Sequence, residues 1–193
     1  MPYSNPSEQP EQPTRSVEEL AYRLLEGTGR LFAIADAARD EQVLAVVRKL
    51  GIEAQCLYKS DEAIRLAAYA PYLLSFKDTL HPLARYLIYS WSYQWGIFLR
   101  SESSVEAIAS HLADSITAIL PDGHEAYFRF YDPRVLPRFL SSSKSNMLVR
   151  LFGTAIDCFL VEDDSGNTLT RYRIAPLEKT PGEHRLITIT FSV

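Results

Sequence analysis

Three charged residues of this chain close apolar runs that read as strands: Asp36 after Leu31–Ala35, Arg100 after Gly96–Leu99 and Asp132 after Ala126–Tyr131. In open α/β sheets ligands bind outside the carboxyl ends of the strands, so these are the first candidates for chemistry. Arg39 and Arg134 stand shortly after Asp36 and Asp132 and could complete a charged rim that binds a ligand. The plainer reading is a set of helix caps and ion pairs. Arg129 shares a strand face with Tyr127 and Tyr131, and a charge among aromatic rings needs a partner. Asp36, Arg39, Arg129, Asp132 and Arg134 are therefore expected together at one end of the sheet, in ion-pair or capping contact. Trp91 and Trp95 flank the end of one helix, as core aromatics or as part of the same rim.

Other chemistry is thin. Ser141-Ser142-Ser143-Lys144 matches SxxK, but SDN and KTG, its partner motifs in serine hydrolases, are absent. His81, His111, His124 and His184 are scattered, whereas a metal site needs clustered ligands. Cys56 and Cys158 sit in separate apolar runs without CxxC spacing, as two reduced, buried thiols would. No cofactor or metal is expected, and no hydrolase activity.

The 193 residues suit one domain; 47% are hydrophobic and 23% charged, enough for a core. A formal net charge of −4, with no run of Lys or Arg, argues against nucleic acid as a partner. Neither a secretory leader nor a membrane-length apolar run is apparent, which suits a cytoplasmic protein.

The elements that must position the rim follow from periodicity and caps. Residues 1–15, with four prolines among Ser, Glu and Gln, read as a disordered tail. Ser16–Glu19 is a capping box for a helix through Leu25. Residues 31–35 read as a strand buried on both faces. A helix follows over 43–50, capped by Asp40, then strands at 52–58 and 72–76 around a short helix through Ala68 capped by Ser60. Pro82 should open the next helix, Gly96–Arg100 is a strand, and Ser103–Glu106 is a second capping box. That helix is expected to run through Ile116 and Ile119. Residues 126–131 read as a strand entering a helix capped by Asp132, with Pro133 at its first position and Pro137 limiting it. A loop at 141–146 and a helix over 147–152 precede a hairpin of 156–161 and 169–174. Leu186–Val193 alternates apolar and polar residues as a final strand. The fold expected is α/β, a mixed sheet flanked by helices. Its main domain spans 16–163, and an antiparallel β addition over 164–193 extends that domain.

Several blocks carry a resemblance: Phe32–Asp40, Ala70–Leu73, Trp95–Ser101, His111-Leu112, Leu120–Gly123, Phe128–Leu136, Phe152-Gly153 and Phe159–Asp163. Together they make residues 31–163 similar to the type VI secretion effector-chaperone family, also called effector adaptors. WGIFLRS (95–101) and FRFYDPRVL (128–136) are the specific blocks. The resemblance implies a cytoplasmic, non-catalytic protein that binds a cognate effector and promotes its loading onto a VgrG-type spike. The residues alone leave open a small enzyme or ligand-binding domain using Asp36, Arg39, Arg100, Asp132 and Arg134. Beyond 163 no family pattern is recognisable, so cargo choice is expected there, with Leu186–Val193 either packed on the core or lending an open edge to a partner.

Overall fold

An uninterrupted apolar run can form a strand only where both of its faces are covered. Residues 31–35 meet that condition in the computed structural model, which describes residues 15–77, 79–119, 122–178 and 180–193. They lie in β1 (Arg30–Asp36), with Leu31, Ala33 and Ala35 in one core and Phe32 and Ile34 in the other. Of the expected tail, all but Arg15 lies outside the described residues.

The sheet contains β1, β2 (Glu53–Cys56), β3 (Pro71–Ser75), β4 (Gly96–Ser101), β7 (Cys158–Glu162), β8 (Thr168–Pro176) and β9 (His184–Ser192). Their order is β2-β3-β1-β4-β7-β8-β9, so β1 and β4 are central and β8–β9 continue the same sheet. One face is covered by α1 (Arg15–Leu25), α2 (Gln42–Lys49) and α4 (Leu80–Ser90). The other carries α5 (Val105–Ser115), α6 (Leu136–Ser142) and α7 (Ser145–Phe152). The expected α/β class, helices flanking a sheet with added C-terminal strands, is the observed one. Gly96 is required where β4 meets β1: a Cβ there would lie 1.8 Å from the Ile34 carbonyl oxygen.

Among the described residues every strand pairing is antiparallel, so the mixed sheet expected from strands alternating with helices is not found. The carboxyl ends of successive strands therefore alternate between the two ends of the sheet, and the strand-end rule for parallel sheets does not apply. β1 pairs with β4 from Arg30↔Ser101 to Ala35↔Gly96, which puts Arg100 at the opposite end from Asp36.

Local differences have local causes. The cap of α5 is Ser104, one residue past the Ser103 of the expected box, and it accepts from Ala107 N at 3.2 Å. Asp40 Oδ1 accepts from Gln42 N at 2.8 Å in the turn that leads into α2, whose capping position is Glu41. The α5 helix stops at Ser115 rather than Ile119. Thr117–Ile119 (β5) instead pairs with Glu125–Tyr127 (β6) as a small ribbon around the turn at Gly123. Residues 128–131 are not strand. Phe130 and Tyr131 are both buried in the same core, which a strand's alternation forbids, so the chain turns to deliver them together. Asp132 then caps a turn, and the helix begins only at Leu136 with Pro137 inside its first turn. Ser141 and Ser142 belong to that helix. Likewise α4 starts at Leu80, ahead of Pro82, and α1 at Arg15, ahead of Ser16. Ser60 is the first residue of α3 (Ser60–Arg65) rather than its cap, and a 3-10 turn at Ala67–Tyr69 follows.

Candidate functional site

Asp36 ends β1 inside the protein, 3% exposed. A carboxylate so placed must be bonded. Its Oδ1 accepts from Ala38 N at 3.0 Å, and Oδ2 pairs with Arg129 Nη2. Arg129 is half-exposed; burial pulls its pKa down, but the Asp36 hydrogen bond and charge outweigh this and leave it raised. Asp132 is also buried. Its Oδ1 accepts from both Arg134 N and Arg134 Nε at 2.9 Å. Burial pushes the Asp132 carboxyl up, yet these bonds and the charges of Arg134 and Arg129 leave it below its ordinary value. Tyr58 and Tyr131 stand against the same pair; burial, first, and the Asp36 charge raise both phenols.

Arg39 joins less directly. Its Nη2 donates to Gln94 Oε1 at 3.3 Å, while Gln94 Nε2 donates to Asp164 Oδ1 at 2.6 Å. The structure thus brings Asp36, Arg39, Arg129, Asp132 and Arg134 to one end of the sheet, as expected from the sequence. Arg100 lies outside that cluster, whereas Trp95 meets it through the backbone, its carbonyl accepting from Asp36 N at 2.8 Å. Arg100, 4% exposed, donates to the carbonyls of Leu24, Gly27, Thr28 and Gly29 and so holds the end of α1 at the far end of the sheet. Trp95 is a core aromatic, edge-on to Tyr86, with its Nε1 donating to Asp40 Oδ2 at 3.3 Å.

The residue that sequence reasoning missed is Glu162. It ends β7 at the same rim, buried, and accepts from Ser92 N at 2.8 Å and Gln94 N at 3.1 Å. Ser92 and Gln94 adopt positive φ (66° and 54°), so residues 91–94 wrap their amides around this carboxylate. Trp91 Nε1 fastens the same turn to Gly166 O at 2.9 Å. Burial pushes the Glu162 carboxyl up to about 7, against the lowering effect of the two amides. The signal available was the first of three acids, Glu162-Asp163-Asp164, closing the apolar run Phe159-Leu160-Val161, but its partners lie some seventy residues away.

Beside the rim, between α6 and β7–β8, runs an open groove of about 870 Å³. Arg134, Arg138, Asp163 and Asp164 line it together with Phe128 and Tyr172. Of the histidines, His111 bonds Leu151 O at 2.8 Å and ties α5 to α7. Among the described residues no group of three His, Cys, Asp or Glu comes together as metal ligands would.

Fold and rim define an α/β domain with an antiparallel core sheet, whose loops are locked at one end by two arginine–carboxylate pairs. The chain belongs to the family described as "Domain of unknown function (DUF4123)", whose model matches residues 31–148 and so spans β1 to α7. No curated protein and no solved structure matches it. Among the described residues no helix is long and apolar enough to cross a membrane.

Proposed function

We propose that the protein is a non-catalytic adaptor that binds a cognate type VI secretion effector in the cytoplasm and promotes its loading onto a VgrG-type spike. The observation that carries this reading is what the two most specific blocks do. WGIFLRS supplies Trp95 to the core and Arg100 to the end of α1. FRFYDPRVL supplies Arg129 to Asp36 and the Asp132–Arg134 pair. Their polar groups are engaged in holding loops and a helix in place, which suits a rigid platform that presents surfaces to other proteins. The family match over 31–148 contains both blocks.

Affinity capture of the tagged full chain from its host tests the proposal. A spike protein and a toxin recovered together are the expected result; recovery of neither overturns it. The groove between α6 and β7–β8 favours a second reading, a ligand-binding domain at the charged rim. That reading expects a small molecule to protect Arg134 and Arg138 from chemical modification.

A further inference from the structure

The final strand, β9, is an edge of the sheet. Val193 N donates to Asn167 O at 3.0 Å, which fixes the phase of the β8–β9 ladder. Odd-numbered residues of β9 bond to β8, and even-numbered residues turn their N–H and C=O outward. Two of these outward positions are occupied. His184 N donates to Ser145 Oγ at 2.7 Å, and Ser192 O accepts from Arg23 Nη1 at 2.8 Å. Between these clamps the outward N–H and C=O groups of Leu186, Thr188 and Thr190 have no protein partner among the described residues. Edge strands are usually protected by charges, prolines or bulges. Residues 186–192 have no charge and no proline, and their register with β8 is unbroken.

The two faces beside this edge differ. On the α1 side, Ile187, Ile189 and Phe191 lie across from Arg173, Arg171 and Leu169. The Arg171 guanidinium sits 5.2 Å from the centre of the Phe191 ring, and its Nε is buried with no hydrogen-bond partner. Arg23 reaches in from α1, and Arg185 lies on the same face of β9. Glu26 lies beside these groups, but Arg23, Arg171, Arg173 and Arg185 outnumber it, so the surface is cationic and apolar on a chain of formal net charge −4. On the other face Leu186 packs towards the core and β9 runs against α7, whose Met147 and Val149 are exposed.

We infer that the middle of β9 receives an extended segment of the cargo protein by strand addition, with acidic side chains on the arginine face and apolar side chains on the α7 face. Main-chain bonds to Leu186, Thr188 and Thr190 give the affinity, and the arginines give the selectivity. A second copy of this chain is disfavoured at this edge, because it would bring two arginine faces together. The inference rests on the adaptor reading only for the identity of the partner.

The probe is a short alternating glutamate–valine peptide, titrated into the isotope-labelled full chain and followed by nuclear magnetic resonance. The expected result is slowed exchange of the Leu186, Thr188 and Thr190 amides. Thr188→Pro removes an outward N–H that β8 does not use, so the fold persists while binding weakens by roughly tenfold, the loss of about one to two strand hydrogen bonds. Arg171→Glu, which leaves the backbone edge intact, weakens the same peptide. No binding, equal binding of a lysine–valine peptide, protection elsewhere, or a β9-edge dimer of the free chain overturns the inference. If Thr188→Pro captures the host effector undiminished, strand addition fails and the adaptor reading stands. If the peptide adds to β9 but the host yields neither effector nor spike, the reverse holds.

Discussion

Arg129→Ala should destabilise the protein more than Asp36→Asn, although both break the same ion pair. The asymmetry comes from where the two partners sit. The Asp36 side chain is 4% exposed and that of Arg129 44%. Removing Arg129 leaves a carboxylate in the interior with one remaining backbone donor, Ala38 N at 3.0 Å. Breaking a buried pair in this way costs about 3–5 kcal/mol; water already reaches the arginine side, so roughly 2–3 kcal/mol is expected here. Asp36→Asn keeps an oxygen for Ala38 N and leaves a guanidinium that solvent can cover, so its cost is about 1 kcal/mol. The double variant should then cost little more than Asp36→Asn alone, since the charge that needed Arg129 has gone. Urea unfolding of the four proteins at constant slope measures this. Arg129→Ala within about 0.5 kcal/mol of wild type, or cheaper than Asp36→Asn, would refute the burial argument.

Three further outcomes follow from other parts of the fold. Burial holds the Glu162 carboxyl at about 7 against an ordinary 4.5. The folded state therefore binds this proton more tightly than the unfolded chain, and the contribution is full below 4.5 and lost as pH rises through 7. Stability should fall across that window by up to about 3 kcal/mol, and Glu162→Gln should flatten this slope whatever it does to the baseline, as denaturation series at several pH values would register. Arg100→Lys should cost about 2 kcal/mol and speed amide exchange in α1, because an ammonium cannot reach the four carbonyls at 24 and 27–29 that the guanidinium spans. Unchanged exchange in α1 would contradict that role. Gly96→Ala should cost several kcal/mol or prevent folding, since its Cβ would meet backbone rather than a movable side chain; a melting temperature near wild type would contradict it.

What could be read from the sequence was what neighbours in sequence decide. The double-sided burial of 31–35, a helix starting just after Ser103-Ser104 and the hairpin around 164–167 all rest on local chemistry, and the structure has them. The need of Arg129 for a partner was legible too, because a charge among rings must be neutralised. Long-range geometry was not legible. Ile116 and Ile119 fit a helical stripe, yet Phe128 N bonds Ile116 O at 2.6 Å and draws 117–119 into a ribbon. Arg100 looked like a rim residue until antiparallel pairing placed it beside Gly27–Gly29. Glu162 acquires its donors only when the 91–94 turn closes over it.

The adaptor account is tested most directly by asking whether the spike carries its effector when this protein is absent. A tagged VgrG-type spike should co-purify with the effector from wild-type cells, lose it on deletion of the gene for this chain, and regain it when the full chain is supplied again. Equal recovery of the effector on the spike with and without this protein would contradict the account.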